Sequence, residues 1–114
     1  MISETSETPH HRTIVLSDET WANTLEQAAL EKKTASDLCL YLARHYLGLE
    51  QKPVYALPEK VETHSRTVYL PDSIWAALKH EKVMQNRSTS DIFEQLLRGY
   101  LGLDLGARLD HPAS

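Results

Sequence analysis

Lys33-Thr34-Ala35-Ser36-Asp37 and Arg87-Ser88-Thr89-Ser90-Asp91 each place a cation and a short run of hydroxyl side chains ahead of an apolar helical stripe. The two runs lie 54 residues apart. Hydroxyls in that position cap a helix, because they accept hydrogen bonds from first-turn N–H groups that have no partner within the helix. Capping is a full account of Ser36 and Ser90. The same end of a helix also attracts anions, so Lys33, Thr34, Ser36, Arg87, Ser88 and Ser90 are candidates to hold phosphate. Other chemistry is sparse. Cys39 is the only cysteine and sits between Leu38 and Leu40, which reads as a buried thiol rather than a metal or redox site. His10, His11 and His64 could gather near the ends of two candidate strands, yet no histidine pair has helical metal-ligand spacing. No nucleophile elbow or phosphate loop is present. The expectation is a protein with no catalytic residues, no metal and no cofactor.

These runs belong to a longer repeat. Residues 11–49 lie over residues 65–103 without a gap, and 14 of the 39 positions are identical, among them Arg12/Arg66, Thr13/Thr67, Asp18/Asp72, Trp21/Trp75, Ser36/Ser90 and Gly48/Gly102. Duplication explains this most economically. Each copy reads as a strand and two helices. Thr13-Ile14-Val15-Leu16 and Thr67-Val68-Tyr69-Leu70 are β-branched and aromatic and are stopped by Ser17-Asp18 and Pro71-Asp72. Pro71 suits a first helical position. Trp21, Leu25 and Ala28 recur at helical spacing in the first copy, as do Trp75 and Leu78 in the second, and both tryptophans read as core. The second helix of each copy carries a broad apolar stripe: Leu38, Leu42 and Tyr46, then Ile92, Leu96 and Tyr100. Gly48-Leu49 and Gly102-Leu103 read as left-handed helix ends.

Strand alternation assigns the faces. Ile14, Leu16, Val68 and Leu70 belong against the helices, so His11, Thr13, Val15, Ser65, Thr67 and Tyr69 point the other way. Threonine on such a face can donate or accept a hydrogen bond, and valine or a threonine methyl offers an apolar contact. Strand propensity alone would also put Val15 and Tyr69 there. No Arg, Lys, Asn or Gln lies on this face. Arg12 and Arg66 have inward parity but sit at the strand starts, from which they can swing to a phosphate.

The runs RTVYLPDSIW, RSTSDI and YLGL, with their spacing, resemble the ribbon-helix-helix family of DNA-binding proteins. The resemblance covers both copies, about two thirds of the chain. It implies a mainly α fold with a short β-ribbon, in which the two copies make an intramolecular pseudo-dimer. It also implies that the ribbon's outer side chains enter the major groove of double-stranded DNA, and that the second helix of each copy approaches a phosphate with its N-terminus. His11, Thr13, Val15, Ser65, Thr67 and Tyr69 then read bases. Arg12, Lys33, Thr34, Ser36, Arg66, Arg87, Ser88 and Ser90 meet phosphate. The glycine usual between the family's two helices is replaced by Lys32 in one copy and Asn86 in the other. The function implied is a small transcriptional or plasmid-type repressor. The alternative is a protein-interaction module such as an antitoxin or scaffold, which the arginine-free ribbon face fits.

Charge does not oppose DNA. The net charge of −4 arises outside the repeats, where Glu4, Glu7, Glu50, Glu59, Glu62, Asp104 and Asp110 face only Lys52, Lys60 and Arg108, while the copies cancel to zero. A single copy buries too little to fold alone and its strand lacks a partner. Residues 50–64 form a linker of 15 residues with two prolines; at about 3.3 Å per residue it reaches roughly 50 Å, ample for joining the copies. Its Val54 to Leu57 patch is a candidate to pack on the surface, and residues 1–10 and 104–114 read as loose tails. No apolar run approaches the roughly 20 residues of a bilayer span, so the expectation is a cytoplasmic protein without membrane contact, in which pseudo-dimers can associate further.

Overall fold

The computed structural model describes residues 7–109. Its elements run β1 (Pro9–Ser17), α1 (Asp18–Leu30), α2 (Ala35–Leu47), β2 (Thr63–Pro71), α3 (Asp72–Gln85) and α4 (Thr89–Leu101). The strands form one two-stranded antiparallel sheet, so the fold is mixed, with four helices around a short sheet. No helix among the described residues is long and apolar enough to cross a membrane.

Alternation drives the strands. Both show the same burial sequence, with Ile14, Leu16, Val68 and Leu70 buried in alternation with exposed residues and the strands ending on buried Ser17 and Pro71. The register pairs Thr13 with Thr67, positions that the repeat makes equivalent, and sets His11 opposite Tyr69 and Val15 opposite Ser65. The four inward strand residues join Cys39, Leu42, Ala43, Tyr46, Leu78, Ile92, Phe93 and Leu97 in one core, with Trp21 and Trp75 packed at its margin. Burial pushes the Cys39 thiol up to about 12, which keeps it protonated and suits a packing role.

Caps define the helices. Thr34 and Asp37 form a reciprocal capping box on α2, and the Ser88 hydroxyl accepts from Asp91 N–H on α4. Ser17 caps α1 through Thr20 N–H. Pro71, expected inside the next helix, ends β2 instead and occupies the cap position of α3 without a side-chain bond, because its extended backbone continues the strand. Lys32 and Asn86 both adopt positive φ, 58° and 55°. They take the left-handed turn that glycine would make at less steric cost.

Several expectations need correction. Gly48 is right-handed at φ −85°, and of the two glycines expected at left-handed helix ends only Gly102, at φ 77°, takes that conformation. Leu25 is exposed, while Thr20, Thr24 and Ala28 are the buried residues of α1. The buried face of α4 includes Glu94, Gln95 and Arg98, and Tyr100 is exposed. β1 begins at Pro9, inside the stretch read as a tail. Residues 104–109 are also ordered: Ala56 N–H donates to Ala107 O at 2.7 Å and Leu109 N–H to Val54 O at 2.7 Å. Gly106 permits this approach, with φ 78° and a site where a Cβ would lie 1.9 Å from Ala56 O. The Gln95 side chain fixes the linker beneath, accepting from Tyr55 N–H at 3.0 Å and donating to Pro53 O at 2.8 Å. Residues 1–6 and 110–114 of the expected tails lie outside the described residues.

Candidate nucleic-acid interface

The outer face of the sheet carries His11, Thr13, Val15, Ser65, Thr67 and Tyr69, all exposed. Val15 is 38% and Tyr69 53% accessible, so no other described segment of the chain covers the apolar pair. The register arranges the six as three cross-strand pairs. His11 meets Tyr69 edge to face at one end, with ring centroids 6.3 Å apart. The two threonines occupy the middle, and Val15 with Ser65 the other end. One end of this face is thus broad and aromatic and the other small.

Helices brace the sheet from the opposite repeat. Ser90 Oγ accepts from Val15 N–H and Ser36 Oγ from Tyr69 N–H, each at 2.8 Å. Each serine therefore ties the second helix of one copy to the strand of the other and satisfies an edge donor that the two-stranded ladder leaves free. Ser36 and Ser90 are thus not the caps they were expected to be, since Thr34 and Ser88 perform the capping. Serine accepting one bond keeps its own O–H as a donor.

The cations expected at phosphate divide into two groups. Lys33 is exposed, 3.6 Å from Glu31 and 5.6 Å from the Tyr41 ring centroid. Arg87, at the equivalent position, is half-buried and donates to Gln95. Lys60, outside the expected set, reaches from the linker to Asp91 at 2.9 Å. Its signal lay in no motif, because linker and helix meet only in the folded chain. Arg12 and Arg66 face elsewhere: Arg12 bonds Asp72 and lies over Trp75, and Arg66 bonds Asp18 and lies over Trp21. They are half-buried cross-repeat clamps, with their charge already paired. Arg12 first, and His10 after it, hold the Asp72 carboxyl below its ordinary range.

The histidines separate rather than cluster. His10 lies 3.2 Å from Asp72 and His64 2.7 Å from Asp18, at opposite ends of the sheet. Asp18, Glu62 and His64 bring three candidate ligand atoms within 4.8 Å of one another. The Arg66 guanidinium on Asp18 already supplies positive charge there, which disfavours a cation.

One buried polar cluster has no counterpart in the other repeat. Glu94, fully buried, accepts from Ser17 N–H at 3.0 Å, Ser17 Oγ at 2.8 Å, Thr20 Oγ1 at 2.6 Å and Arg98 Nε at 2.8 Å. Burial opposes its ionisation, but the bonds from Thr20, Ser17 and Arg98 outweigh burial and hold its pKa below the ordinary 4.5. The sequence signal was a glutamate in an apolar helical stripe, at the position where the first copy has Leu40. No family model, curated protein or solved structure matches this chain.

Proposed function

We propose that the chain is a tandem ribbon-helix-helix pseudo-dimer that binds double-stranded DNA, with its two-stranded sheet in the major groove, and acts as a small repressor by occupying an operator. One observation carries the reading. The outward residues of two repeat-related strands form a single exposed face centred on the equivalent pair Thr13 and Thr67. A two-stranded ribbon fits the major groove, about 12 Å wide. Thr13 and Thr67 donate to or accept from base edges, Val15 meets a thymine methyl, and His11, Ser65 and Tyr69 add polar contacts. The N-termini of α2 and α4 flank the sheet and supply N–H groups, with Thr34, Ser36, Ser88 and Ser90, to phosphate. Lys33 is the exposed cation of the phosphate set, and Arg87 joins it by exchanging Gln95 for phosphate. Arg12 and Arg66 serve the interface by fixing the strand ends.

Selection from a random double-stranded DNA pool at two salt concentrations tests this. An enriched site is expected, with affinity falling steeply as salt rises. Lys33→Ala with Arg87→Ala should weaken binding alike across sequences and reduce the salt slope by about 2, one unit for each phosphate no longer neutralised. An unchanged slope removes both residues from the interface. The second reading, a protein-interaction module, is favoured by the absence of Lys, Arg, Asn and Gln from the outer face, and no DNA binding even at low salt would select it.

A further inference from the structure

The two repeats make the same helix-to-helix junction from opposite chemistry. Where α1 meets α4, the inward residues are Ser17, Thr20 and Thr24, and α4 presents Glu94 with Arg98. Thr24 Oγ1 is itself satisfied by Thr20 O at 2.7 Å. Where α3 meets α2, the residues at the same repeat positions are Pro71, Ile74 and Leu78, and the α2 position equivalent to Glu94 holds Leu40, which lines a surface recess together with Pro71. Leu78 is fully buried, and Ile74 and Leu40 pack on the core. Four positions thus differ together, on two elements far apart in sequence. Arg44 and Arg98 are equivalent, yet only Arg98 is given a glutamate four residues before it.

We propose that this pair of junctions is a pairing selector, which makes each copy complementary to the other copy and incompatible with a second molecule of itself. Strand pairing between like copies of two chains would set Ser17, Thr20 and Thr24 against Leu40, leaving the buried Ser17 N–H and Thr20 hydroxyl without the carboxylate that accepts from them. The opposite like pairing would set Pro71, Ile74 and Leu78 against Glu94, stripping a buried carboxylate of its serine and threonine donors. Only the pairing of unlike copies satisfies both junctions. The selected partner is therefore the other half of the same chain, and a second copy of the chain is rejected at the level of the half. Pairing of the copies is independent of DNA binding, so a chain that never binds DNA leaves the selector standing.

Exchanging the key residues tests it in the full chain. Leu40→Glu with Glu94→Leu mismatches both junctions within one chain and matches them between like copies of two chains. The wild type should sediment as a monomer. The exchanged chain should lose the monomer, or retain it with a melting temperature lowered by about 10 °C or more. Any dimer it forms should pair like copies. A Thr13→Cys reporter then gives an interchain disulfide beyond that of the same chain without the reporter, because residue 13 faces Thr67 only when unlike copies pair. Completing the exchange with Ser17→Pro, Thr20→Ile, Thr24→Leu, Pro71→Ser, Ile74→Thr and Leu78→Thr should restore the monomer and most of its stability. Two results overturn the proposal: an exchanged chain that stays monomeric with unchanged melting, or a completed exchange no better than the mismatched one.

Discussion

Glu94→Ala is expected to destabilise the fold by about 3–5 kcal/mol, the range for removing one partner of a buried ion pair and stranding the other. Arg98, itself buried, would keep only the Asp104 carbonyl at 3.0 Å and Glu19 at 3.6 Å, while Ser17 and Thr20 would lose their common acceptor. Urea denaturation checks it, and a loss below about 1 kcal/mol would mean that water or rearrangement replaces the glutamate. The same residue fixes a pH window. Its folded pKa lies below the ordinary 4.5, so its contribution is complete above that value and is lost as pH falls through the folded pKa. Glu94→Gln should flatten the stability profile in that acid range.

Glu94 also shows where the sequence stops being legible. Period-2 alternation was enough to place Ile14, Leu16, Val68 and Leu70 inward, and helical apolar spacing, with hydroxyl caps ahead of α2 and α4, located the four helices, because these are local signals. The junction chemistry was not local. Ser17 read only as the stop of a strand, and it is the approach of α4 that makes it and Thr20 donors to a carboxylate more than 70 positions away. Arg12 and Arg66 were expected at phosphate for the same reason. Their partners Asp72 and Asp18 come within reach only through the antiparallel register.

Ser36 and Ser90 mark a different kind of limit. A hydroxyl two residues after a capping hydroxyl reads as more capping chemistry, and nothing in the local pattern separates it from one that binds a neighbouring strand. The order of residues 104–109 was hidden too, since Gly106 owes its conformation to the Ala56 carbonyl beside it. What the sequence shows well is which residues share a face. What it shows poorly is which polar groups on different faces satisfy one another, because that depends on angles between elements.

The outer face of the sheet yields the most specific expectation. A homodimeric ribbon presents identical strands, so its two-fold symmetry matches a palindromic site. In this chain the equivalent positions differ: His11, Thr13 and Val15 on β1 correspond to Ser65, Thr67 and Tyr69 on β2. The register concentrates the difference, with His11 beside Tyr69 at one end and Val15 beside Ser65 at the other. The preferred DNA site should therefore be symmetric only where Thr13 and Thr67 act. One half faces two rings with donors, and the other a methyl-bearing side chain and a small hydroxyl. Tyr69→Val makes the equivalent positions 15 and 69 alike and should shift selection toward a more nearly palindromic sequence. A change of about 1–3 kcal/mol in discrimination is expected at the affected base step if tyrosine touches it directly. Tyr69 is more than half exposed, so stability should move by no more than about 0.5 kcal/mol for the surface change itself, plus about 0.5–1.5 kcal/mol for removing the ring that meets His11. Site selection on both proteins, with melting curves beside it, separates the two effects. If wild type and Tyr69→Val select the same sequences with the same strength, Tyr69 reads no base and the asymmetry of the ribbon has no consequence for DNA.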